Sequence, residues 1–287
     1  MKQQIIYFLR FLYSFVRKKP NYFYKTKEWG LNKEKREKKL IISLTSFPAR
    51  IKTVGDTIQS VFNQTTKADL VILWLAVSQF PKKEKSLPKS LLKLKKFGLT
   101  IQWCDDLRSY KKLIPSLLQY ADDIIVTIDD DVYYPPYWLE KLYQSYLQSP
   151  EKIHCHRAHL IRFDKNGYPL PYKEWGEQCI DFSTCGKDIL MTGVGGVLYP
   201  PHSFANDIYN VELFQKLAPN TDDVWFWTMA VLKGTDIQVV ENNITNFDAV
   251  FNVKVATLWG DNSEGNNDNV LRNIFKHYQQ LHNFYKS

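Results

Sequence analysis

Short apolar runs alternate with amphipathic stretches through the first half of the chain. Leu40-Ile41-Ile42-Ser43-Leu44, Leu70 to Leu75, Leu99 to Trp103 and Ile124 to Ile128 are each five or six residues long. Their apolar character is nearly continuous, which predicts strands covered on both faces. Between them, Val54 to Asn63, Pro88 to Lys96 and Lys111 to Gln119 have helical spacing. Pro88 opens one helix and Gly98 follows its end, where those residues fit the backbone best. A strand recurs every 25 to 30 residues. That rhythm predicts βαβ units, hence a mainly parallel sheet flanked by helices in an α/β fold. Ligands of such sheets bind beyond the carboxyl ends of the strands.

The second half is less regular. Residues 163–187 carry Asn166-Gly167, Pro169, Pro171, Gly176 and Gly186, which predicts mostly loop. Thr221 to Leu232 predicts a helix, with Thr221 as its N-cap and Gly234 past its end. The expected organisation is one domain over 39–287, with a regular half at 39–135 and a second half at 136–287 that includes a smaller subregion. No internal repeat or low-complexity tract is present.

Charge separates the N-terminal arm from this body. The chain carries +8 overall, yet residues 1–40 hold 12 Lys and Arg against 3 Asp and Glu, so the remaining 247 residues carry −1. A nucleic-acid-binding domain needs its positive charge on the folded face that meets phosphate, so this distribution argues against one. Residues 5–16, IIYFLRFLYSFV, run into Arg17-Lys18-Lys19. A dozen apolar residues are fewer than the roughly 20 needed to span a bilayer. The segment also lacks a small-residue cleavage site. Residues 1–19 are therefore expected either to lie on an anionic membrane surface or to form a tail or docked helix, with 17–39 as a charged linker. The irregular spacing of Cys104, Cys155, Cys179 and Cys185 fits reduced thiols in the cytoplasm. The sequons at Asn63 and Asn243 are read as chance matches.

Candidate chemistry centres on Asp129-Asp130-Asp131, in the run IIVTIDDDVYYP. Three consecutive carboxylates where the chain leaves an apolar strand repel one another unless a cation or hydrogen-bond donors compensate. In extended backbone Asp129 and Asp131 point the same way, and Asp130 faces away or bonds locally. A hard divalent ion takes one or two such carboxylates together with substrate phosphates. The plainer reading is an Asp-rich turn before the helix that Pro135-Pro136 opens.

With its neighbours, this motif resembles the GT-A-fold (Rossmann-like) nucleotide-sugar glycosyltransferases, especially bacterial enzymes that build capsule and lipopolysaccharide. The resemblance covers about 39–260 and rests on an ordered set of segments. Leu44-Thr45-Ser46-Phe47-Pro48-Ala49-Arg50 follows the first strand, where the family binds base and ribose. Ser109-Tyr110-Lys111-Lys112-Leu113 precedes the Asp strand, where a cation often approaches the donor. Gly193-Val194-Gly195-Gly196-Val197-Leu198-Tyr199 resembles the family's Gly-rich segment at the sugar site. Asn220-Thr221-Asp222-Asp223-Val224-Trp225 resembles its acidic pair near the acceptor.

The resemblance implies a hexosyltransferase that uses Mn²⁺ or Mg²⁺. It implies a nucleotide-sugar donor, UDP by family frequency, and a glycan or lipid-linked glycan acceptor. By that analogy Asp131 is the principal metal ligand, and Asp129 shares the metal or binds ribose. Thr45, Ser46, Phe47, Arg50, Lys111, Lys112, Asp129, Asp130, Gly195 and Gly196 are expected at the donor. Asp222 and Asp223 are candidates for the base of an inverting transfer, with Asp223 preferred. Each has a plainer reading: lysines are commonly solvated surface, glycines mark bends, and acids suit a helix start. Trp225 and Trp227 are candidates for an acceptor platform, with at least one expected in the core.

His154-Cys155-His156, with His159 nearby, has no second ligand pair at zinc spacing and reads as ordinary strand. His277 and His282 fall on a predicted terminal helix. Asp261, Asn262 and Asn266 are the alternatives for the family's C-terminal metal contact. Two rival functions remain at this level. One is a metal-dependent phosphoesterase, which needs more convergent acids. The other is a non-catalytic glycan-binding or membrane adaptor, which has no need of the acidic triplet. The expected location is cytoplasmic, with peripheral contact on the inner face of the membrane.

Overall fold

The computed structural model describes residues 29–178, 185–250 and 267–286. The arm at 1–19, Cys179, and Asp261, Asn262 and Asn266 lie outside the described residues. The four apolar runs form strands β1 (Leu40–Thr45), β2 (Leu70–Ala76), β3 (Leu99–Cys104) and β4 (Ile124–Thr127). They are followed by β5 (Val132–Tyr133), β6 (Ile153–Cys155), β7 (Ala158–Leu160), β8 (Gly176–Gln178), β9 (Cys185–Gly186), β10 (Ile189–Met191), β11 (Val197–Tyr199), β12 (Ile237–Val239) and β13 (Asp248–Ala249). The helices are α1 (Val54–Phe62), α2 (Lys89–Leu92), α3 (Ile114–Gln119), α4 (Trp138–Gln148), α5 (Val211–Leu217), α6 (Asp222–Lys233) and α7 (Asn267–His277).

Eight strands make the central sheet, in the order β3-β2-β1-β4-β11-β6-β12-β9. The first four are mutually parallel, and β6 pairs β12 in parallel. Only β11 and β9 run against the rest. The mainly parallel α/β sheet flanked by helices is the fold class expected from the sequence. Its strands read as continuous apolar runs because both faces are covered. Ile124, Val126 and Leu198 pack on one face with α1 and α4. Ile125 and Tyr199 pack on the other with α3, α5, α6 and α7. Each fully buried Leu or Ile contributes about 1.5–3 kcal/mol of transfer free energy.

The structure shifts several expected elements. The helix expected at 88–96 splits into the single turn of α2 and a 3₁₀ stretch, Lys93–Phe97. Lys111 to Gln119 likewise splits into a 3₁₀ turn, Arg108–Lys112, and α3, because Pro115 admits a new start but no continuation. The segment 163–187, expected as loop, holds β8, β9 and a 3₁₀ turn, and β8 joins β7 and β10 in a small second sheet. Thr221 is the residue before α6, but its side chain makes no capping hydrogen bond. Residues 29–38, expected in the linker, lie against the body. Asn32 N donates to Ala68 O at 2.8 Å, and Arg36 pairs with Asp69 at 2.8 Å. No helix among the described residues is long and apolar enough to cross a membrane.

Candidate active site

Three turns meet at the carboxyl ends of β1 and β4. The turn after β1 carries Ser46 and Arg50, and the turn after β4 carries the acidic triplet. The antiparallel β11 starts at the same edge, since Val197 pairs with Thr127, so the glycines before it sit beside the triplet. Helix α6 begins there as well. Together they line a cleft of about 680 Å³.

The triplet splits within the turn that follows β4. Asp130 turns inward, where it accepts from Ser46 Oγ at 2.5 Å and from Arg50 at 2.9 Å. Asp129 and Asp131 face the cleft, with 32% and 23% of their side chains exposed. The same Arg50 nitrogen lies 2.9 Å from Asp131. The Asp129 amide donates to Tyr134 Oη at 3.1 Å, and that hydroxyl donates to Val194 O at 3.2 Å. The acidic turn is thereby tied to the Gly-rich segment.

Lys112 joins this turn to α6. Its ammonium lies 3.1 Å from Asp129, 2.9 Å from Asp222 and 3.9 Å from Asp223. Its backbone is anchored to β1, where Ser43 Oγ donates to Lys112 O at 2.6 Å. That bond accounts for a serine within an apolar strand. Burial alone would lower the lysine pKa, but three carboxylates hold it well above its ordinary value. Lys111 is also buried and pairs with Asp106 at 2.6 Å. The solvated-surface reading of these lysines is therefore overturned. Both are buried, and carboxylates satisfy their charge, for Lys112 from both halves of the chain.

Asp223 lies on the cleft floor. Its side chain is 32% exposed. Oδ2 accepts from the Gly193 amide at 2.9 Å. Burial pushes its pKa up to about 7, Lys112 opposes the shift, and Asp222 and Asp129 add to it. Asp131 is pushed up to about 6, by burial first and then by Asp129. Two acidic groups in one cleft thus titrate near neutrality, a pattern common at functional sites.

Among the donor candidates, Thr45, Ser46, Phe47, Arg50, Lys111, Lys112, Asp129 and Asp130 all line the cleft. Thr45 Oγ1 is spent on Trp74 O at 2.9 Å. Gly195 and Gly196 do not line it, which corrects the expectation for them. A Cβ at Gly195 would lie 2.8 Å from Arg157, and one at Gly196 would lie 2.2 Å from the Trp138 ring. Gly196 also has φ +77°, a conformation that favours glycine. Protein packing therefore explains both. Gly193 is the glycine at the acids, because a Cβ there would lie 2.6 Å from Lys112 Nζ.

Trp225 and Trp227 are fully buried, so neither forms an acceptor platform. His154 bonds Ser145 and Ser149, and His156 bonds Trp138 O and the Ile244 amide, as structural residues do. His277 and His282 do not line the cleft. The sequence reading missed Arg157, His159, Tyr172 and Asn267, which form the cleft wall beyond Asp223. The only signal for them was Arg157, a charge inside an otherwise strand-like run.

No group of three or more His, Cys, Asp or Glu side chains suited to a metal occurs among the described residues. Asp129 and Asp131 instead offer the hard oxygen pair that Mg²⁺-type ions take when water and phosphates complete the shell. No family model and no curated protein matches the sequence. Among solved structures, the chain is similar to a CMP:2-keto-3-deoxy-manno-octonic acid synthetase complexed with CTP. The identity is 12%, the match covers 72% of this chain and 89% of that one, and the TM-score is 0.40. So slight a likeness carries no assignment of ligand or residue.

Proposed function

We propose that the chain is a metal-dependent, inverting glycosyltransferase. It moves a sugar from a nucleotide diphosphate sugar, UDP by default, to a glycan or lipid-linked glycan in bacterial polysaccharide synthesis. The main support is convergence: the acidic turn after β4 and the acidic pair opening α6 meet across Lys112 in one cleft.

In this reading Asp223 takes the proton from the acceptor hydroxyl. The hydroxyl oxygen bonds to the anomeric carbon while that carbon's bond to the diphosphate oxygen breaks. The diphosphate leaves with the electron pair. A pKa near 7 lets Asp223 be ionised before transfer and basic enough to accept the proton. Mn²⁺ or Mg²⁺ held by Asp131 and Asp129 supplies electrostatic stabilisation of the leaving diphosphate. Arg50 fixes the acids that face it, and Phe47 offers the nucleotide base an apolar surface. Residues 1–19 serve as contact with the inner face of the membrane.

The test is ligand-dependent melting followed by a donor screen. UDP with Mn²⁺ is expected to raise Tm well beyond either alone. A panel of UDP, GDP and CMP sugars with Mn²⁺ is then assayed for hydrolysis. Neither stabilisation nor hydrolysis across the panel would sink the reading.

A further inference from the structure

We propose that the lysine-rich outer layer at residues 82–96, with the concavity between it and the turn after β1, is a docking surface for an anionic lipid bilayer. This adds a surface of the folded body to the N-terminal arm, and it stands whether or not the cleft transfers sugars.

The positive charge of the body is gathered in this layer. Residues 82–96 hold seven lysines and one glutamate, a net +6, whereas residues 41–287 as a whole carry −1. Outside the layer the body therefore carries −7. Leu87, Leu91 and Leu94 are buried in the same core as Val54 and Ile58 of α1, which leaves the lysines on the outer side. All seven are exposed. Among the described residues only Lys95 of the seven is in an ion pair, with Glu84 at 2.6 Å.

A concavity of about 490 Å³ opens on the layer. Lys52, Lys85, Ser86 and Ser90 line it together with Ile51, Leu87 and Pro88. Ammonium and hydroxyl groups suit a phosphate headgroup, and the apolar residues suit the carbons next to it. Trp29, 36% exposed, packs edge to face on Phe97 with ring centres 5.7 Å apart. Lys96 Nζ lies 5.0 Å from the centre of that Phe97 ring. An amphipathic ring beside cations belongs at a headgroup interface. The described chain begins at Trp29, so the arm, with seven Lys and Arg against one Glu over residues 1–28, is joined to the body at this layer. The cations of the layer are all lysine, and its one α-helix, α2, is a single turn. It offers neither an arginine fork nor a helix long enough to fill a nucleic-acid groove, whereas a lipid surface asks mainly for charge. Phe47 and Arg50 line the cleft while Ile51 and Lys52 line the concavity, so a bilayer seated here lies beside the cleft.

The experiment sediments the full chain with vesicles of phosphatidylcholine alone and of phosphatidylcholine with phosphatidylglycerol. Each lysine close to an anionic surface is worth roughly fivefold in partitioning. Lys85→Gln, Lys89→Gln and Lys93→Gln together are expected to weaken binding to the mixed vesicles by about tenfold or more. The same three positions changed to Arg keep the charge and are expected to keep the binding. Lys216→Gln, Lys233→Gln and Lys276→Gln remove equal charge from exposed positions on α5, α6 and α7, and are expected to change binding by less than about twofold. Wild type that binds both vesicles alike overturns the proposal. So does a first variant that binds like wild type, because the arm alone would then hold the membrane. Equal losses in both Gln variants also overturn it, because net charge rather than this layer would be responsible. Displacement from the vesicles by inorganic phosphate at constant ionic strength would assign the concavity to a free anion. A DNA oligonucleotide bound more tightly than the mixed vesicles, and released by the first variant, would assign the layer to nucleic acid; either result overturns the proposal.

Discussion

On one side of the cleft the wall is built from four parallel strands of four to seven residues, β3, β2, β1 and β4. On the other side the strands have two or three residues, and their direction changes at three of four pairings from β4 to β9. The first side presents charges that are already matched: Arg50 between Asp130 and Asp131, Lys111 on Asp106, and Lys112 across the seam. The second side presents Asp223 with a raised pKa and orphaned polar atoms at Thr221 and Asn267, and the first side has counterparts in Asp131, Arg50 Nε and Gln79 Oε1. Pairing on the donor side fixes geometry before any ligand arrives.

Substitution on each side breaks this contrast most sharply. Asp223→Asn is expected to lower kcat by about 10² to 10⁴-fold while UDP affinity with Mn²⁺ stays near wild type. Asp131→Asn should do the reverse in binding, abolishing the Mn²⁺-dependent part of UDP affinity. Steady-state kinetics and calorimetry on the same preparations separate the two. Turnover surviving in Asp223→Asn within threefold would remove the base from that side. The pH profile sharpens the point. A base must be ionised, so kcat should rise with pH through about 7 and level above it.

The seam itself comes next in size. Lys112→Met leaves Asp129, Asp222 and Asp223 facing one another without their shared cation. The expected loss is on the order of 2–3 kcal/mol, less than for a fully buried broken pair because Asp129 and Asp223 each keep about a third of the side chain in solvent. Denaturant unfolding measures it. A loss confined to a few tenths of a kcal/mol would mean that the two walls are held together by the sheet alone.

The same contrast explains what the sequence made legible. Strands β1 to β4 could be read because each buries both faces and is long enough to show a continuous apolar run. Asp129 to Asp131 stood out because carboxylates next to such a run have no packing reason to be there. The second half resisted because a strand such as β6 or β11, at three residues, is too short to show a period. Arg157 and Asn267 come together through tertiary folding, and neither lies in a motif. Gly195 and Gly196 were misassigned for a related reason. A glycine needed by Trp138 or by Arg157 looks, in sequence, like one needed by a ligand.

The smallest expected effect separates the buried histidines from the cleft acids by their response to acid. His154, His156 and His159, all on the second side, are held to about 4, chiefly by burial. The unfolded chain takes up their protons near 6.5 and the folded chain does not. The stability they confer is therefore complete above about 6.5 and is lost as pH falls toward 4. From pH 7.5 to 5.5 this amounts to roughly 1 kcal/mol per imidazole. The cleft acids work in the opposite sense. Asp223 and Asp131, raised to about 7 and about 6, bind protons in the folded chain before the unfolded chain does, so acid stabilises through them. In the wild type the two opposed slopes should therefore partly cancel between pH 7.5 and 5.5, leaving a mild loss of stability in acid. Replacing Asp131 and Asp223 by Asn removes one slope, and acid should then destabilise steeply. His156→Asn removes part of the other, and its stability should hold or rise on acidification. Denaturant midpoints at pH 7.5, 6.5 and 5.5 for the three proteins read this directly. Parallel curves would show that neither set of groups is shifted by burial, and the raised acids of the cleft would lose their electrostatic basis.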